Sequence, residues 1–349
     1  MDRLTTVIAV IFVFGLLVFV HELGHFLAAQ ATGMRVEEFA IGFGPKIVNY
    51  KHGETLYSLR AIPLGGFNKI TGMDPDEKNL EGSFYSKSIG ARMFVILAGS
   101  GMNFLLPIIL FFTVFMINGI ETPTNQPILG TIMADRPAAA AGLLPGDRIV
   151  AINGENVETW PQLVAAIQRN AQDSSSNDTT IIVNFQRETS PNIQETIIVP
   201  EFDTNTNRRI IGITPLIEIY KPGFFESMKL SVNYTYVVIS RMFSSLGEIV
   251  TGKTEADIAG PIGIIKITGE VAQSGIIPLL HFAAFFSVNL AIINLLPIPA
   301  LDGGHIIVLA IEAIRRKPLS SRVLGIVHAI GFAILISILA FATFNDIMR

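Results

Sequence analysis

The chain of 349 residues contains no cysteine. Disulfides and thiolate metal sites are therefore excluded, and any bound metal must be held by His, Asp or Glu. Charge is scarce too. Asp, Glu, Lys and Arg make up 15% of the residues against 50% apolar ones. Several apolar runs are long, and the combination is that of an integral membrane protein. The 25 basic and 29 acidic residues leave a net charge of −4. With no basic tract, nucleic acid is not an expected partner.

Inside this apolar background stands His21-Glu22-Leu23-Gly24-His25, within the run Val7 to Ala29. Two histidines four apart on a helix share one face, so their ring nitrogens can converge on one ion. Glu22 lies about 100° round from His21 and about 60° from His25, beside such an ion without ligating it. Two neutral imidazoles suit zinc, and a nearby carboxylate suits proton removal from a water. In a soluble helix the same pattern is often only polar residues facing water. Here each charge near mid-bilayer costs roughly 2.5 to 3.5 kcal/mol, which packing alone does not repay. The motif is thus a candidate Zn2+ site, with His21 and His25 as ligands and Glu22 as base. Ala29-Gln30-Ala31 faintly suggests a signal-peptide cut, but the run is long, its N-terminal flank has only Arg3 beside Asp2, and cleavage would discard the motif. An uncleaved span, 1–29, is expected.

Residues 30–92 are rich in Gly, aromatics and β-formers, including Gly42-Phe-Gly-Pro45 and Pro63-Leu-Gly-Gly-Phe67. Short strands in a small, membrane-associated or cytoplasmic β-meander are expected. A second span follows at 93–117, with Asn103 free to bond across helices and Gly99 and Gly101 permitting close approach. Residues 122–215 are soluble in composition. The pattern predicts strands near Ile128, Arg148, Thr180 and Gln194, a helix from Trp160 to Asn170, and a loop at Ser174–Asp178. Residues 220–275 read as an amphipathic interfacial segment broken at Gly260-Pro-Ile-Gly-Ile264. The third span, 276–314, is interrupted by Asn294-Leu-Leu-Pro-Ile-Pro-Ala-Leu-Asp302-Gly-Gly304. Non-helical backbone at membrane depth is tolerated only against protein or a wet cavity, so the break marks a site. A basic loop at 315–322 (Arg315, Arg316, Lys317, Arg322) precedes the fourth span, 323–345. Its charge points to the cytoplasm and places both termini and the 122–215 domain outside.

A catalytic zinc takes three protein ligands and keeps one position open. His281, Asp302, His305 and His328 are the candidates in apolar context. His21 lies roughly 21 Å along the first span and Asn294 roughly 26 Å along the third. The break and the HELGH motif therefore meet at similar depth. This favours Asp302, leaves His305 as a fallback, and puts His281 too near the outer surface.

HELGH at 21–25, the two Gly-rich loops, Gly260-Pro-Ile-Gly and Asn294-x-x-Pro-x-Pro-x-Leu-Asp-Gly-Gly304 together resemble the site-2 protease family of intramembrane zinc metalloproteases, in the branch of the regulator of sigma-E protease. The 122–215 region, with its Ala-Ala-Gly-Leu-x-x-Gly-Asp147 turn, resembles a bacterial PDZ domain. The resemblance implies an α-helical integral membrane protein with four transmembrane spans, a small β-meander and one inserted PDZ-like α/β domain. It implies that His21, His25 and Asp302 bind zinc, that Glu22 is the base and that Asn294 assists at the substrate. It further implies a bacterial inner membrane location. The implied substrates are single-span membrane proteins such as anti-sigma factors, and signal-peptide remnants. Gly65 and Gly66 are expected at the substrate, and a peptide is a possible partner of the PDZ-like domain. One departure is Ala98-Gly-Ser-Gly-Met-Asn103, where the family usually has a proline after the first glycine. The alternative function is a PDZ membrane scaffold whose zinc is structural.

Overall fold

Backbone groups find no water in hydrocarbon and must bond within their own segment, so long apolar runs fold as helices. The computed structural model describes residues 3–73, 80–172, 180–203, 208–254 and 259–348. In order the elements are α1 (Arg3–Ala31), β1 (Val36–His52), β2 (Thr55–Ile70), α2 (Ile89–Asn118), β3 (Ile120–Pro123), β4 (Leu129–Ile132), α3 (Pro137–Ala140), β5 (Arg148–Ile152), β6 (Glu155–Asn156), α4 (Trp160–Gln172), β7 (Ile181–Arg187) and β8 (Ser190–Ile198). Then come β9 (Glu201–Asp203), β10 (Arg208–Ile210), β11 (Ile213–Pro215), β12 (Ile217–Tyr220), α5 (Phe224–Val250), α6 (Pro261–Gln273), α7 (Ile276–Leu295), α8 (Asp302–Arg315) and α9 (Ser321–Met348). Residues 1–117 with 223–349 form one compact unit, and residues 118–222 form another.

In the first unit, α1, α2, α7 and α9 are each long and apolar enough to cross a bilayer. Their outward side chains fit that setting. On α9, Ile326, Ile330, Phe332, Leu339 and Phe341 are all exposed, the reverse of a helix facing water. Arg92 at the start of α2 forms a two-pronged ion pair with Glu312 near the end of α8, at 2.9 and 2.6 Å. Both residues are buried, and the guanidinium lies 4.9 Å from the Tyr85 ring centre. Glu312 is thus committed to Arg92, well away from HELGH in role.

The 30–92 region differs from a meander of short strands. β1 and β2 are two long strands, bent so that one segment is paired along both edges. Residues 36–41 pair with 66–70, 38–41 pair also with 56–59, and 46–52 pair with 55–60. The bends fall at the Gly-rich loops, where Gly42, Gly44 and Gly65 have positive φ. Such backbone costs glycine little and other residues much. Burial works against charge on Glu38, but hydrogen bonds from Ser58 and Arg60 and the nearby Lys46 outweigh it and hold the carboxyl below its usual range.

The 220–275 segment is broken where expected, at Gly260-Pro-Ile-Gly. It is two helices, and α5 is turned inside out relative to a helix in water. Ser227, Ser231 and Thr235, one turn apart, are buried, while Phe224, Phe225, Tyr236 and Phe243 are exposed. Small residues of this kind allow close helix packing. The glycines at 260 and 263 have a specific use. Their amides both donate to the carboxylate of Asp346 on α9, at 2.9 and 2.8 Å, capping α6.

Within the second unit, β6-β5-β7-β8 form an antiparallel sheet over which α4 packs. The β5–β6 hairpin turns through Asn153 and Gly154, both at positive φ, the pair that a two-residue turn prefers. Buried Asp147 receives both prongs of Arg187, at 2.7 and 2.8 Å, and caps Leu144 N. This ties the 142–147 turn to β7. The expected strands and helix are present. The short strands β3 and β9 to β12 were not anticipated, since three or four residues carry no legible period. β3 pairs with β12, which makes the unit wider than 122–215 at both ends. The loop expected at Ser174–Asp178 lies outside the described residues.

The Arg92–Glu312 pair yields a stability prediction. Removing one partner of a buried pair leaves an uncompensated charge costing about 3–5 kcal/mol, whereas replacing both with apolar residues is often near neutral. Arg92→Ala should therefore lower the melting temperature in detergent sharply, and Arg92→Met with Glu312→Leu should recover most of the loss. A melting temperature unchanged in Arg92→Ala would contradict the assignment.

Candidate metal centre

The HELGH helix is set against α2 by its own glycine. A side chain at Gly24 would overlap the Ala98 carbonyl on α2, so glycine lets the two backbones approach. The reciprocal position is Gly99, where a methyl group would overlap the rings of His25 and His21. Gly101, expected in the same role, faces open space.

Both histidines are buried, and their Nε2 atoms lie 3.1 Å apart. Asp302 Oδ2, on the first turn of α8, lies 3.4 Å from His21 Nε2 and 3.5 Å from His25 Nε2. Donor atoms around a tetrahedral zinc with bonds of 2.0–2.1 Å are about 3.3–3.4 Å apart. The triangle therefore fits one zinc ion, and its three residues line a cleft. Among the described residues, this is the sole set of three or more such groups able to converge on an ion.

Asp302 reaches the centre because the third span stops. α7 ends at Leu295, and the Pro297-Ile-Pro299-Ala-Leu301 loop turns back, with Ala300 at φ 79°. Side chains at Gly303 and Gly304 would overlap the carbonyls of Leu295, Leu296 and Ile298. The two glycines thus let the loop lie on the first turn of α8. His305, the fallback ligand, lines the same cleft but its ring packs on His328 at 5.0 Å. His281 stacks against Phe111.

α2 supports every member of the donor set. His25 Nδ1 donates to the Val95 carbonyl at 2.8 Å. That proton leaves Nε2 with its lone pair free for a metal. The Asn103 amide lies 3.3 Å from His21 Nδ1. The atom at that distance is Nδ2, while Oδ1 is buried with no partner among the described groups. When Nε2 is the ligand and Nδ1 carries hydrogen, turning the amide over brings Oδ1 round to accept from it. Ser100, in the position where the family usually has proline, is buried with its hydroxyl 3.4 Å from Asp302 Oδ2. Ser287 on α7 bonds the Asn103 carbonyl at 2.8 Å, fastening α7 to the same helix.

Glu22 stands beside the donors and is held by Asn68, whose amide nitrogen lies 2.8 Å from both the Glu22 carbonyl and Oε2. A cleft of about 320 Å³ brings together His21, Glu22, His25, Gly66, Asn68, Asn294, Asp302 and His305. Asn294 thus shares the cavity, on the last turn of α7. Gly66 lies against Glu22 and Val18, where any side chain would collide. Gly65 does not line the cleft. Its φ of 105° and the Phe43 ring beside it fix the bend. Sequence reasoning missed Asn68, the Val95 carbonyl and the contact of Ser100 with Asp302. A backbone carbonyl leaves no residue signal, and a lone Asn in a strand looks like any polar alternate.

The two α2 glycines give a paired prediction. Gly99→Ala drives a methyl into both imidazoles and should leave purified protein with well under one zinc per chain. Gly101→Ala, at an open position, should keep full zinc. Equal zinc content in both variants would contradict this account of α2.

Comparison with known proteins extends the picture beyond the centre. The family model described as "Peptidase family M50" matches residues 9–338. The chain is 37% identical over 343 residues to the putative zinc metalloprotease CA_C1796 of Clostridium acetobutylicum, covering 98% of this chain and 97% of that one. It is 33% identical over 427 residues to the zinc metalloprotease RasP of Geobacillus kaustophilus, with 100% and 99% covered. It is also 33% identical over 425 residues to the regulator of sigma-W protease RasP of Bacillus subtilis, with 99% and 98% covered. A solved PDZ domain from an SdrC-like protein of Listeria monocytogenes matches 28% of this chain and 93% of its own, at 21% identity and a TM-score of 0.22. That likeness is too slight to assign a fold, and the PDZ-like architecture rests on the domain's own strands and helix. With nearly its whole length matched and a buried donor set suited to zinc, the chain belongs to peptidase family M50 and is a multi-pass membrane zinc metalloendopeptidase.

Proposed function

We propose that this protein hydrolyses peptide bonds within transmembrane segments of single-span membrane proteins. The observation that carries the proposal is the triangle His21, His25 and Asp302 beside Glu22, built on membrane-crossing helices and opening to a cleft. An open fourth position favours catalysis over a structural ion, which is usually enclosed by four protein ligands. When bound, zinc supplies an acidified water and a Lewis acid for the scissile carbonyl.

The chain's own residues do the rest. His21, His25 and Asp302 hold the ion. Glu22 takes the proton of the attacking water and passes it to the leaving amine nitrogen. Asn294 holds the substrate main chain or the developing oxyanion from across the cleft. A helical substrate hides its carbonyls and must be extended first. The 66–70 half of β2 is suited to that task, since it pairs with 36–41 on one side and lines the cleft through Gly66, Phe67, Asn68 and Ile70. Gly66 keeps the edge close to Glu22, and Gly65 sets the bend that presents it.

The name of the Bacillus subtilis relative, regulator of sigma-W protease, supports anti-sigma factors as the substrate type, with signal-peptide remnants a second class. Family membership supports the bacterial inner (cytoplasmic) membrane as the location, and the basic 315–322 loop supports an orientation with both termini and the PDZ-like domain outside. That domain takes an extended peptide or restricts access to the cleft.

The test is cleavage of a tagged single-span substrate in detergent, with the cut mapped by mass spectrometry. The wild type should cut within the apolar segment and Glu22→Gln should not, with zinc content equal in both. Gly66→Val should lose most cleavage while keeping zinc. No cut by the zinc-loaded wild type, or equal cutting by Glu22→Gln, would contradict the proposal.

A further inference from the structure

The Glu22 carboxylate is gripped by one side chain from outside the helix, and the grip is asymmetric. Asn68 Nδ2 lies 2.8 Å from the Glu22 main-chain carbonyl and 2.8 Å from Glu22 Oε2. Both acceptors are oxygens, so the amide must present its nitrogen, since the turned-over amide would set oxygen against two oxygens. Both N–H bonds are used. Donation to the residue's own carbonyl and to its carboxylate fixes the backbone and side chain of Glu22 together. Gly66, two residues away on the same strand, lies so close to Glu22 Cγ that a side chain there would collide with it.

From this geometry we infer that Asn68 is a positioning residue for peptide hydrolysis, pinning Glu22 by Oε2 and leaving Oε1 to exchange the proton. The inference deepens the proteolytic function proposed above and rests on it. A carboxylate oxygen that accepts a strong hydrogen bond is the poorer base of the two, because taking a proton there would oppose the donor. The proton from the attacking water therefore goes to Oε1, and Oε1 returns it to the amine nitrogen as the C–N bond breaks. The proton taken and the proton given are the same, so Glu22 ends as it began. Asn68 neither gains nor loses a proton and does not touch the reacting atoms. Its effect is on how long the carboxylate spends in the productive rotamer, and such orientation governs kcat rather than substrate binding.

The position also sits on the strand edge proposed to extend the substrate, and the two roles separate kinetically. A substrate contact raises KM, while a support for Glu22 lowers kcat.

The experiment uses full-length protein in detergent with a tagged single-span substrate, comparing wild type, Glu22→Gln, Asn68→Ala, Asn68→Leu and Asn68→Ser. Kinetic constants, zinc per chain and the solvent isotope effect on kcat are measured for each. Loss of an orienting hydrogen bond to a charged group should lower kcat for Asn68→Ala and Asn68→Leu about 10- to 100-fold. KM should stay within about twofold and zinc should be unchanged. The solvent isotope effect should rise as proton transfer becomes slower. Asn68→Ser, which can still donate one hydrogen bond, should recover part of kcat. An unchanged kcat in Asn68→Ala would overturn the inference. A raised KM with kcat intact would overturn it in favour of a substrate contact. Loss of zinc or fold in the Ser variant as well as the larger changes would also overturn it, making Asn68 structural. Failure of wild type itself to cleave, or cleavage surviving Glu22→Gln, would instead strike the proteolytic function on which the inference stands.

Discussion

The structure depends on the close approach of α1 and α2. Two glycines make it possible, Gly24 facing the α2 backbone and Gly99 facing the two imidazoles. Once the helices touch there, α2 supplies an acceptor or donor for each member of the donor set. The Val95 carbonyl orients His25, Asn103 orients His21, and Ser100 approaches Asp302. The Val95 carbonyl fixes the His25 tautomer that leaves its Nε2 lone pair free, and such partners matter as much as the ligands themselves. In a bilayer the constraint is sharper than in water, because a misplaced imidazole or carboxylate has nothing else to bond to.

The second requirement is that the third span must not be a helix throughout. A continuous helix through 294–304 would carry Asp302 past the centre. Pro297 and Pro299 end α7, and Gly303 and Gly304 let the loop rest on α8. The ion pair between Arg92 and Glu312 then fixes α8 to α2 near its far end. The Asp-bearing helix is held at both ends, by the folded loop at one and the buried pair at the other. Rigid support of this kind is what keeps a small set of ligands within reach of one ion.

Much of this was legible in the sequence because the chemistry is local. HELGH carries two imidazoles and the proposed base within five residues, and its spacing is a property of the helix alone. The break at 294–304 is equally legible, since prolines and glycines inside an apolar run have few meanings. Asp302 was expected as third ligand from depth and from family resemblance, and its Oδ2 lies 3.4 and 3.5 Å from the two Nε2 atoms. What could not be read were contacts between distant segments. Asn68 meets Glu22 across 46 residues, and Asp346 caps α6 across more than 80. The 30–92 region misled because its glycines looked like ends of strands, whereas they are bends within two long ones. The amphipathic pattern of α5 is the same whether its apolar face meets an interface or lipid, and its buried stripe of Ser227, Ser231 and Thr235 could not be read before packing was known.

The most direct measurement is X-ray absorption at the zinc edge on the purified, zinc-loaded protein, compared with Asp302→Asn. The account predicts four light ligands at about 2.0–2.1 Å, of which two show imidazole scattering, with the carboxylate contribution altered and zinc occupancy reduced in the variant. A centre with three or four imidazoles, or a spectrum and occupancy indifferent to Asp302→Asn, would contradict it.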